Sequence, residues 1–378
     1  MTRTRDDVGS YDDIGAAAVR TTGLDDFGGT AHEEGLRILV DDLASPEAGL
    51  TAEGNYFQRA QVKSALVGRL LTQARLTELP SYAGVPVERP VFVVGLPRTG
   101  TTALHRLLDA DPRHQGLELW LTEFPQPRPP RETWDDDPVF TAMRAAFAEH
   151  HVSHPEFMGI HYMDAASVEE CWRVLRQTGK SISFESLANV PRYSAWLAAQ
   201  DWTDAYARHR AALQLIGLND PDKRWVLKNP SHLVALDALM AVYPDALVVC
   251  THRDPVASVA SACSLSAEAT AGHSTTFVGE TIGRTQLEML SRSWRAFAEA
   301  RPAYDPSQFV DVDYADFVAD PVGTTRGVYE AFGLDWTPEA AAAVEAIDRE
   351  SRQGGRRPAH TYALDDYGLT EAEVRAAF

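Results

Sequence analysis

Residues 89–102 are Arg-Pro-Val-Phe-Val-Val-Gly-Leu-Pro-Arg-Thr-Gly-Thr-Thr, and this stretch decides the fold. Its apolar, β-branched run is typical of a strand buried inside a parallel sheet. A helical pattern over 102–110 follows directly after the two glycines. The stretch therefore predicts a buried strand, a glycine-containing turn and a helix in succession.

Three further strand–helix pairs occur later in the chain. Short apolar runs at 225–227, 246–251 and 309–314 are each followed by a helical pattern, at 231–242, 255–266 and 321–332. Alternation of this kind favours an open parallel sheet with helices on both faces. The predicted fold class is α/β, with three layers around a central parallel sheet.

The remaining segments predict how the chain is organised around this sheet. Residues 1–85 show apolar residues at helical spacing, at 36–43 and again at 57–71, and are interpreted as a helical N-terminal extension. Residues 86–378 form the α/β domain. An insertion at about 120–222, mixed in helix and loop, is expected to cap the ligand-binding edge of the sheet.

Composition restricts the class of ligand and the compartment. The 378 residues carry 35 Lys and Arg against 54 Asp and Glu, a net charge of −19. Such a chain is a poor candidate for binding nucleic acid or an anionic membrane, so any anionic ligand needs local basic groups. Three scattered cysteines, no signal peptide and no apolar run approaching ~18 residues favour a cytoplasmic protein without a membrane span.

The turn after the first strand has the spacing of a phosphate-binding loop. Gly95 and Gly100 are separated by four residues, and the amides of such a loop and the following helix N-terminus bind anionic oxygens. Nucleoside triphosphatases carry Lys directly after the second glycine, where this chain has Thr101. The cation is Arg98, inside the loop. The loop therefore indicates a phosphate-containing ligand but disfavours triphosphate hydrolysis.

Two motifs together resemble the sulfotransferases that use 3′-phosphoadenylyl sulfate (PAPS). The sequence PRTGTT at 97–102 is similar to their 5′-phosphosulfate loop. Arg253, at the end of a strand, is followed eight positions later by Ser261, which is the spacing of the pair that holds the donor's 3′-phosphate in this family. The resemblance covers about 89–118 and 224–335 and is strongest to the bacterial branch.

This resemblance implies a P-loop-type fold and metal-independent transfer of a sulfuryl group from PAPS to a hydroxyl. It implies that Arg98 and Lys228 stabilise the leaving oxygen. Arg356 and Arg357, in an Arg/Gly-rich cluster, either close over the 3′-phosphate or form an exposed basic run. The implied donor-binding residues are Pro97, Arg98, Thr99, Gly100, Thr101, Thr102, Arg253, Ser261, Arg356 and Arg357.

Three residues are candidates for the catalytic base, since the family uses His in some branches and Glu in others. His232 is the first choice because it follows Lys228 by four residues near the same edge of the sheet. The His branch has these two residues closer together. Glu118 is the second candidate and Glu123 the third, both in the segment after the glycine-loop helix.

Other residues of the insertion leave alternatives open. His150, His151, His154 and His161 do not have the spacing of a zinc site. The carboxylates of the segment 169–172 (EECW) either orient an acceptor or form a salt-bridged helix face. The aromatic residues Trp120, Phe124, Tyr162, Trp172, Trp196 and Trp202 indicate a partly apolar hydroxyl acceptor or simply a buried core. The rival functions are a P-loop kinase and a nucleotide-binding protein without transferase activity.

Overall fold

A five-stranded parallel sheet lies at the centre of the structure, a computed structural model that describes residues 3–153, 164–353 and 363–378. Its strands are β1 (Val91–Gly95), β2 (His114–Gln115), β3 (Arg224–Lys228), β4 (Leu247–His252) and β5 (Phe309–Asp313). The strand order is β2-β3-β1-β4-β5. All pairs are parallel, with Val91 opposite Val226 on one side and Leu247 on the other. The predicted parallel α/β fold is confirmed.

The helices surround this sheet and include a long N-terminal group. Their bounds are α1 (Tyr11–Thr22), α2 (Glu33–Leu43), α3 (Ala52–Glu78), α4 (Thr101–Asp109), α5 (Leu119–Glu123), α6 (Pro138–Ser153), α7 (Trp172–Leu175), α8 (Pro191–Ala198), α9 (Thr203–Ile216), α10 (Ser231–Val234), α11 (Leu236–Val242), α12 (Pro255–Ala269), α13 (Glu280–Ala300), α14 (Tyr314–Ala319), α15 (Pro321–Ala331), α16 (Pro338–Gln353) and α17 (Glu371–Ala377). Short 3₁₀ turns connect several of them.

Alternate side chains of β1 enter two different cores, which is the three-layer arrangement expected for such a sheet. Val91 and Val93 pack with α4 and α14–α16 on one face. Phe92 and Val94 pack on the other face, in a larger core that also includes residues of α1–α3 and of the insertion. The N-terminal extension and the insertion therefore share one core with the sheet.

Two local features differ from the sequence prediction. The helix expected over 231–242 is interrupted at Ala235, whose φ of −122° and ψ of 28° are not helical, so α10 and α11 are separate. The edge strand β2 has only two residues and carries no periodicity, so sequence reasoning missed it. It pairs with the first residues of β3.

Candidate functional site

The glycine loop connects the buried end of β1 to the first turn of α4 at the carboxyl edge of the sheet. Gly95 has a φ of 149°, and a Cβ there would lie 2.3 Å from Thr251 Oγ1. Gly100 is the N-cap of α4 in the left-handed region, with a φ of 89°. Arg98 also has a positive φ, 70°, which is uncommon for a residue with a side chain. The loop is thus tightly folded, with its backbone against β4 at Thr251.

The threonines of this loop are not equivalent. Thr99 Oγ1 donates to the carbonyl of Leu96 at 2.7 Å and lies 2.5 Å from Thr251 Oγ1. Since Thr99 is 1% exposed, its hydroxyl is committed to the loop itself. Thr101 is buried, whereas Thr102 is exposed on the first turn of α4. Only the last of these hydroxyls is open to a ligand.

The structure brings the loop next to the second motif predicted from the sequence. Arg98 Nε donates to Ser261 Oγ at 3.2 Å, and Arg253 Nη1 donates to the carbonyl oxygen of Arg98 at 2.8 Å. The Arg253 guanidinium lies over the ring of Tyr314, with Cζ 4.3 Å from the ring centroid. Two guanidinium groups and a hydroxyl therefore converge at the ends of β1 and β4.

Lys228 lies at the end of β3, on the other side of β1. Its ammonium donates to Thr102 Oγ1 at 3.1 Å and forms an ion pair with Glu170. Lys228 is 3% exposed, so this cation is buried beside the first turn of α4. The glycine loop, Arg98 and Lys228 thus lie around one crevice at this edge of the sheet.

Sequence reasoning did not select Glu170, whose carboxylate pairs with Lys228 at this crevice. The segment before α7 is fixed by backbone hydrogen bonds, from Glu169 N to the carbonyl of Leu117 at 2.6 Å and from Cys171 N to the carbonyl of Lys228 at 3.0 Å. These bonds direct Glu170 toward the Lys228 ammonium. In the sequence, Glu170 belongs to the acidic pair directly before Cys171 and Trp172. This pair predicts either carboxylates that orient an acceptor or a salt-bridged helix face.

His232 is in the core, and its position corrects the expectation that it is the base. Its Nδ1 is 2.6 Å from Tyr206 Oη, and its ring packs edge-on against Phe92. The residue is 0% exposed, so an acceptor hydroxyl has no access to the imidazole. Burial, together with His209 and Lys228, lowers the pKa of His232 well below its ordinary value.

Glu118 and Glu123 are committed to ion pairs with buried arginines. Glu118 precedes α5 and lies 3.0 Å from Arg128 Nε. Glu123 accepts from Ser64 Oγ at 2.8 Å and pairs with Arg173 and Arg176. Burial raises the pKa of Glu123, but the two guanidinium groups outweigh it and lower this pKa to about 2. Both carboxylates are therefore structural partners, which does not agree with a role as base.

The aromatic residues of the insertion are mainly core. Trp120 and Trp202 are buried, and Trp120 packs edge-on against Trp134 and Phe140. Trp196 and Trp172 are half-buried, and Phe124 is 37% exposed. Tyr162, His154, His161, Arg356 and Arg357 lie outside the described residues.

One group of potential metal ligands occurs among the described residues, on the neighbouring strands β4 and β5. Cys250, His252 and Asp311 have ligand atoms within 4.8 Å of one another. However, both oxygens of Asp311 accept from Arg301 at 2.7 Å, and Oδ1 also contacts His252 Nε2. A guanidinium already neutralises this carboxylate, so we assign no metal to the group. In the described ranges, no helix is both long and apolar enough to cross a bilayer.

Comparison with known proteins gives consistent matches. Residues 90–338 match the model of the sulfotransferase family. The chain is similar to sulfotransferase STF1 from Mycobacterium tuberculosis, with 50% identity, a TM-score of 0.92 and 99% of each chain covered. It is also similar to sulfotransferase STF9 from Mycobacterium avium, with 30% identity, a TM-score of 0.89 and coverage of 99% of this chain and 96% of that one.

A curated relative matches over a shorter region. This is the omega-hydroxy-beta-dihydromenaquinone-9 sulfotransferase Stf3 of Mycobacterium tuberculosis and Mycobacterium bovis, 26% identical over 268 residues. The match covers 66% of this chain, and the chain spans only 64% of the length of that relative.

Proposed function

The chain belongs to the sulfotransferase family, and from this premise we propose that it transfers a sulfuryl group from PAPS to a hydroxyl of a small, partly apolar acceptor. One observation carries the proposal. A glycine loop, two arginines, a lysine and Ser261 converge at one edge of the sheet in a chain of net charge −19. Such a local cluster is what a polyanionic nucleotide needs in an acidic protein.

The residues present fit a donor with phosphate at both ends. The amides of Thr99 to Thr102 and the N-terminus of α4 would bind the 5′-phosphosulfate. Gly95 allows the loop to lie against β4, because a Cβ there would lie 2.3 Å from Thr251 Oγ1. Arg253 and Ser261 bind the 3′-phosphate, the former held flat by Tyr314. Pro97 starts the loop turn, and Arg356 and Arg357 remain candidates for closing the site.

The chemistry follows from charge that develops on the leaving group. PAPS supplies the sulfuryl group, which passes to the acceptor oxygen by in-line displacement. Arg98 and Lys228 stabilise the negative charge that grows on the bridging oxygen as its bond to sulfur breaks. Because the loop carries Thr101 in place of the triphosphatase lysine, the same crevice is poorly suited to hydrolysis of ATP with magnesium.

We propose an acceptor whose hydroxyl is attached to an apolar body. Phe124, directly after α5, is 37% exposed, and the half-buried Trp172 follows Glu170 by two positions. Aromatic surface of this kind binds apolar ligands through area burial. The curated relative's name specifies a hydroxylated menaquinone, which gives a lipid alcohol as the first acceptor class to assay.

We place the reaction in the cytoplasm. The three cysteines are buried free thiols, as expected in a reducing compartment.

Two measurements test the proposed function. In a thermal-shift assay, adenosine 3′,5′-bisphosphate should raise the melting temperature, whereas ATP with magnesium should not. Incubation with ³⁵S-labelled PAPS and a total lipid extract should then transfer label into an organic-soluble product. Stabilisation by ATP with magnesium alone would favour the kinase alternative. Bisphosphate binding without any labelled product from lipid, phenol or alcohol panels would favour a binding protein.

A further inference from the structure

We propose that a small monovalent anion of the halide class binds between Arg69 of α3 and Arg208 of α9, beneath the segment 23–32 that joins α1 to α2. Arg69 is 3% exposed and Arg208 is half-buried. The Nε atoms of both guanidinium groups are buried without a hydrogen-bond partner. None of these residues belongs to the donor crevice, so the inference does not depend on the proposed sulfuryl transfer.

Neutral oxygen atoms hold the two guanidinium groups next to one segment. Arg69 Nη1 and Nη2 donate to the carbonyls of Gln177 at 3.2 Å and Gly28 at 3.1 Å. Arg208 Nη2 donates to the carbonyl of Arg69 at 3.0 Å, and its Nη1 donates to Gln73 Oε1 at 3.3 Å. Gln73 Oε1 lies directly against Gly28, because a Cβ on that glycine would be 2.1 Å from it. Both guanidinium groups therefore adjoin the segment around Gly28.

These two cations lack the carboxylate that the other buried arginines have. Within the ranges that the structure describes, Arg69 and Arg208 form no ion pair, whereas the buried Arg128 and Arg176 each pair with a glutamate. A charge that is removed from water without a partner is costly, so buried charges are paired or bind an ion. The missing partner of Arg69 and Arg208 is therefore an anion that the chain itself does not supply.

The acidic groups that act on these arginines leave one positive charge uncompensated. Asp26 attracts both guanidinium groups, but it is exposed, and its oxygens accept from the backbone of its own loop and from Gln73. Asp204 also attracts Arg69, but it is paired with Lys180. One monovalent anion would neutralise the remaining charge, whereas a dianion would exceed it.

The unpartnered atoms at this place favour an anion over a water molecule. The buried atoms of Arg69, Arg208 and Gln177 without a partner are two Nε atoms and one Nε2, and all three are donors. The acceptor of the Gln177 amide is already used, because Oε1 accepts from Thr72 Oγ1 at 3.1 Å. A water molecule also needs acceptors for its own two hydrogens, and a guanidinium group offers none. An anion only accepts, which matches a set of donors.

The titration of neighbouring groups reflects the positive potential of the site. Burial, and then Arg69, lowers the pKa of Arg208 to about 9, and burial lowers that of Arg69 to about 10. Burial, together with the two arginines, also lowers the pKa of His32 to about 3, so this imidazole is neutral at pH 7. Both guanidinium groups remain charged at that pH. An anion bound between them would therefore stabilise the folded protein.

Thermal unfolding of the full chain tests the inference when chloride replaces gluconate, a bulkier anion, at constant sodium and ionic strength. The melting temperature of the wild type should rise saturably by about 2–4 °C up to about 150 mM chloride. Arg208→Met removes the charge and keeps an apolar stem, so this rise should disappear. Arg210→Met is the matched control, because Arg210 is an exposed arginine of the same helix, and it should keep the rise.

A second pair of variants provides the test if Arg208→Met does not fold. Asp26→Asn removes the competing carboxylate, so the chloride concentration at half of the effect should fall several-fold. Asp25→Asn, at the adjacent exposed aspartate, should leave it unchanged. Crystals grown with bromide should show an anomalous peak between the two guanidinium groups. A melting temperature that does not respond to chloride, a response that Arg208→Met retains, or crystals without that peak would overturn the inference.

Discussion

Arg98 Nε donates a hydrogen bond of 3.2 Å to Ser261 Oγ, and this bond joins the glycine loop after β1 to the helix after β4. The loop is also tied back from the other side, because Arg253 donates to the carbonyl oxygen of Arg98. The residues proposed for the two ends of the donor are thus one connected unit.

The first prediction concerns selectivity for the 3′-phosphate. Arg253→Ala and Ser261→Ala should each weaken binding of adenosine 3′,5′-bisphosphate by ~1.5–3 kcal/mol, the range for charge-assisted hydrogen bonds. Adenosine 5′-monophosphate lacks the 3′-phosphate, so its affinity should hardly change. Calorimetry with both nucleotides measures the difference. Equal losses of binding free energy for the two nucleotides would show that Arg253 and Ser261 only support the glycine loop.

A second prediction separates the charge of Arg98 from its backbone conformation. Arg98→Ala should lower kcat by a factor of ~10²–10³ and change the KM for PAPS less, because the guanidinium acts on charge that grows in the transition state. Since Arg98 has a φ of 70°, alanine there is also strained. Arg98→Gly relieves this strain and should be equally inactive. Recovery of activity in the glycine variant would assign the effect to the backbone.

The sheet and the position of the glycine loop at its edge could be predicted because their signals are local. The run from Val91 to Val94 is buried on both faces, so its composition alone identifies it. The positions of Gly95, Gly100 and Arg98 follow from the spacing of the loop. The Arg253–Ser261 pair lies within a single strand–helix connection, so its spacing is fixed by regular geometry.

The surroundings of the candidate acid–base residues could not be predicted, because they are formed by distant segments. His232 looks like a residue of the sheet edge in sequence, but Tyr206, 26 positions away, holds its ring in the core. Glu170 is joined to Lys228 across 58 positions. No periodicity in the sequence relates such pairs. For the same reason, the composition of the insertion did not separate the core residue Trp120 from the exposed Phe124.

The third prediction follows from the buried position of His232. His232→Gln should keep the pH dependence of turnover and the bisphosphate affinity of the wild type, because the imidazole does not reach the crevice. It should lower stability by about 1–3 kcal/mol, since the Tyr206 hydroxyl loses its partner in the core. Urea unfolding and a pH–rate profile measure the two effects. If His232→Gln instead removed the rise of turnover with pH near neutrality and left the free energy of unfolding unchanged, His232 would be the base.

The last prediction concerns a carboxyl group at the end of the glycine-loop helix. Asp109 is the final residue of α4, and burial, with the nearby Glu118, raises its pKa to about 7 against the opposing effect of Arg128 and Lys223. An unfolded chain has an aspartate pKa of ~3.9. Between these two values the folded state binds more protons than the unfolded state. The contribution of this group to stability is therefore lost as the pH rises toward 7, and is constant above it.

Asp109→Asn should remove this dependence, because the amide resembles the protonated carboxyl group and cannot ionise. The variant should be more stable than the wild type by an amount that grows by about 2.6 kcal/mol from pH 5 to pH 8, since the proton-binding difference is worth ~1.4 kcal/mol for each pH unit below the folded pKa. Asp222→Asn, at an exposed position before β3, is the control and should show no such growth. Urea unfolding at pH 5, 6, 7 and 8 measures the difference. If the difference in unfolding free energy between Asp109→Asn and the wild type stayed constant over this pH range, Asp109 would be ionised in the folded protein.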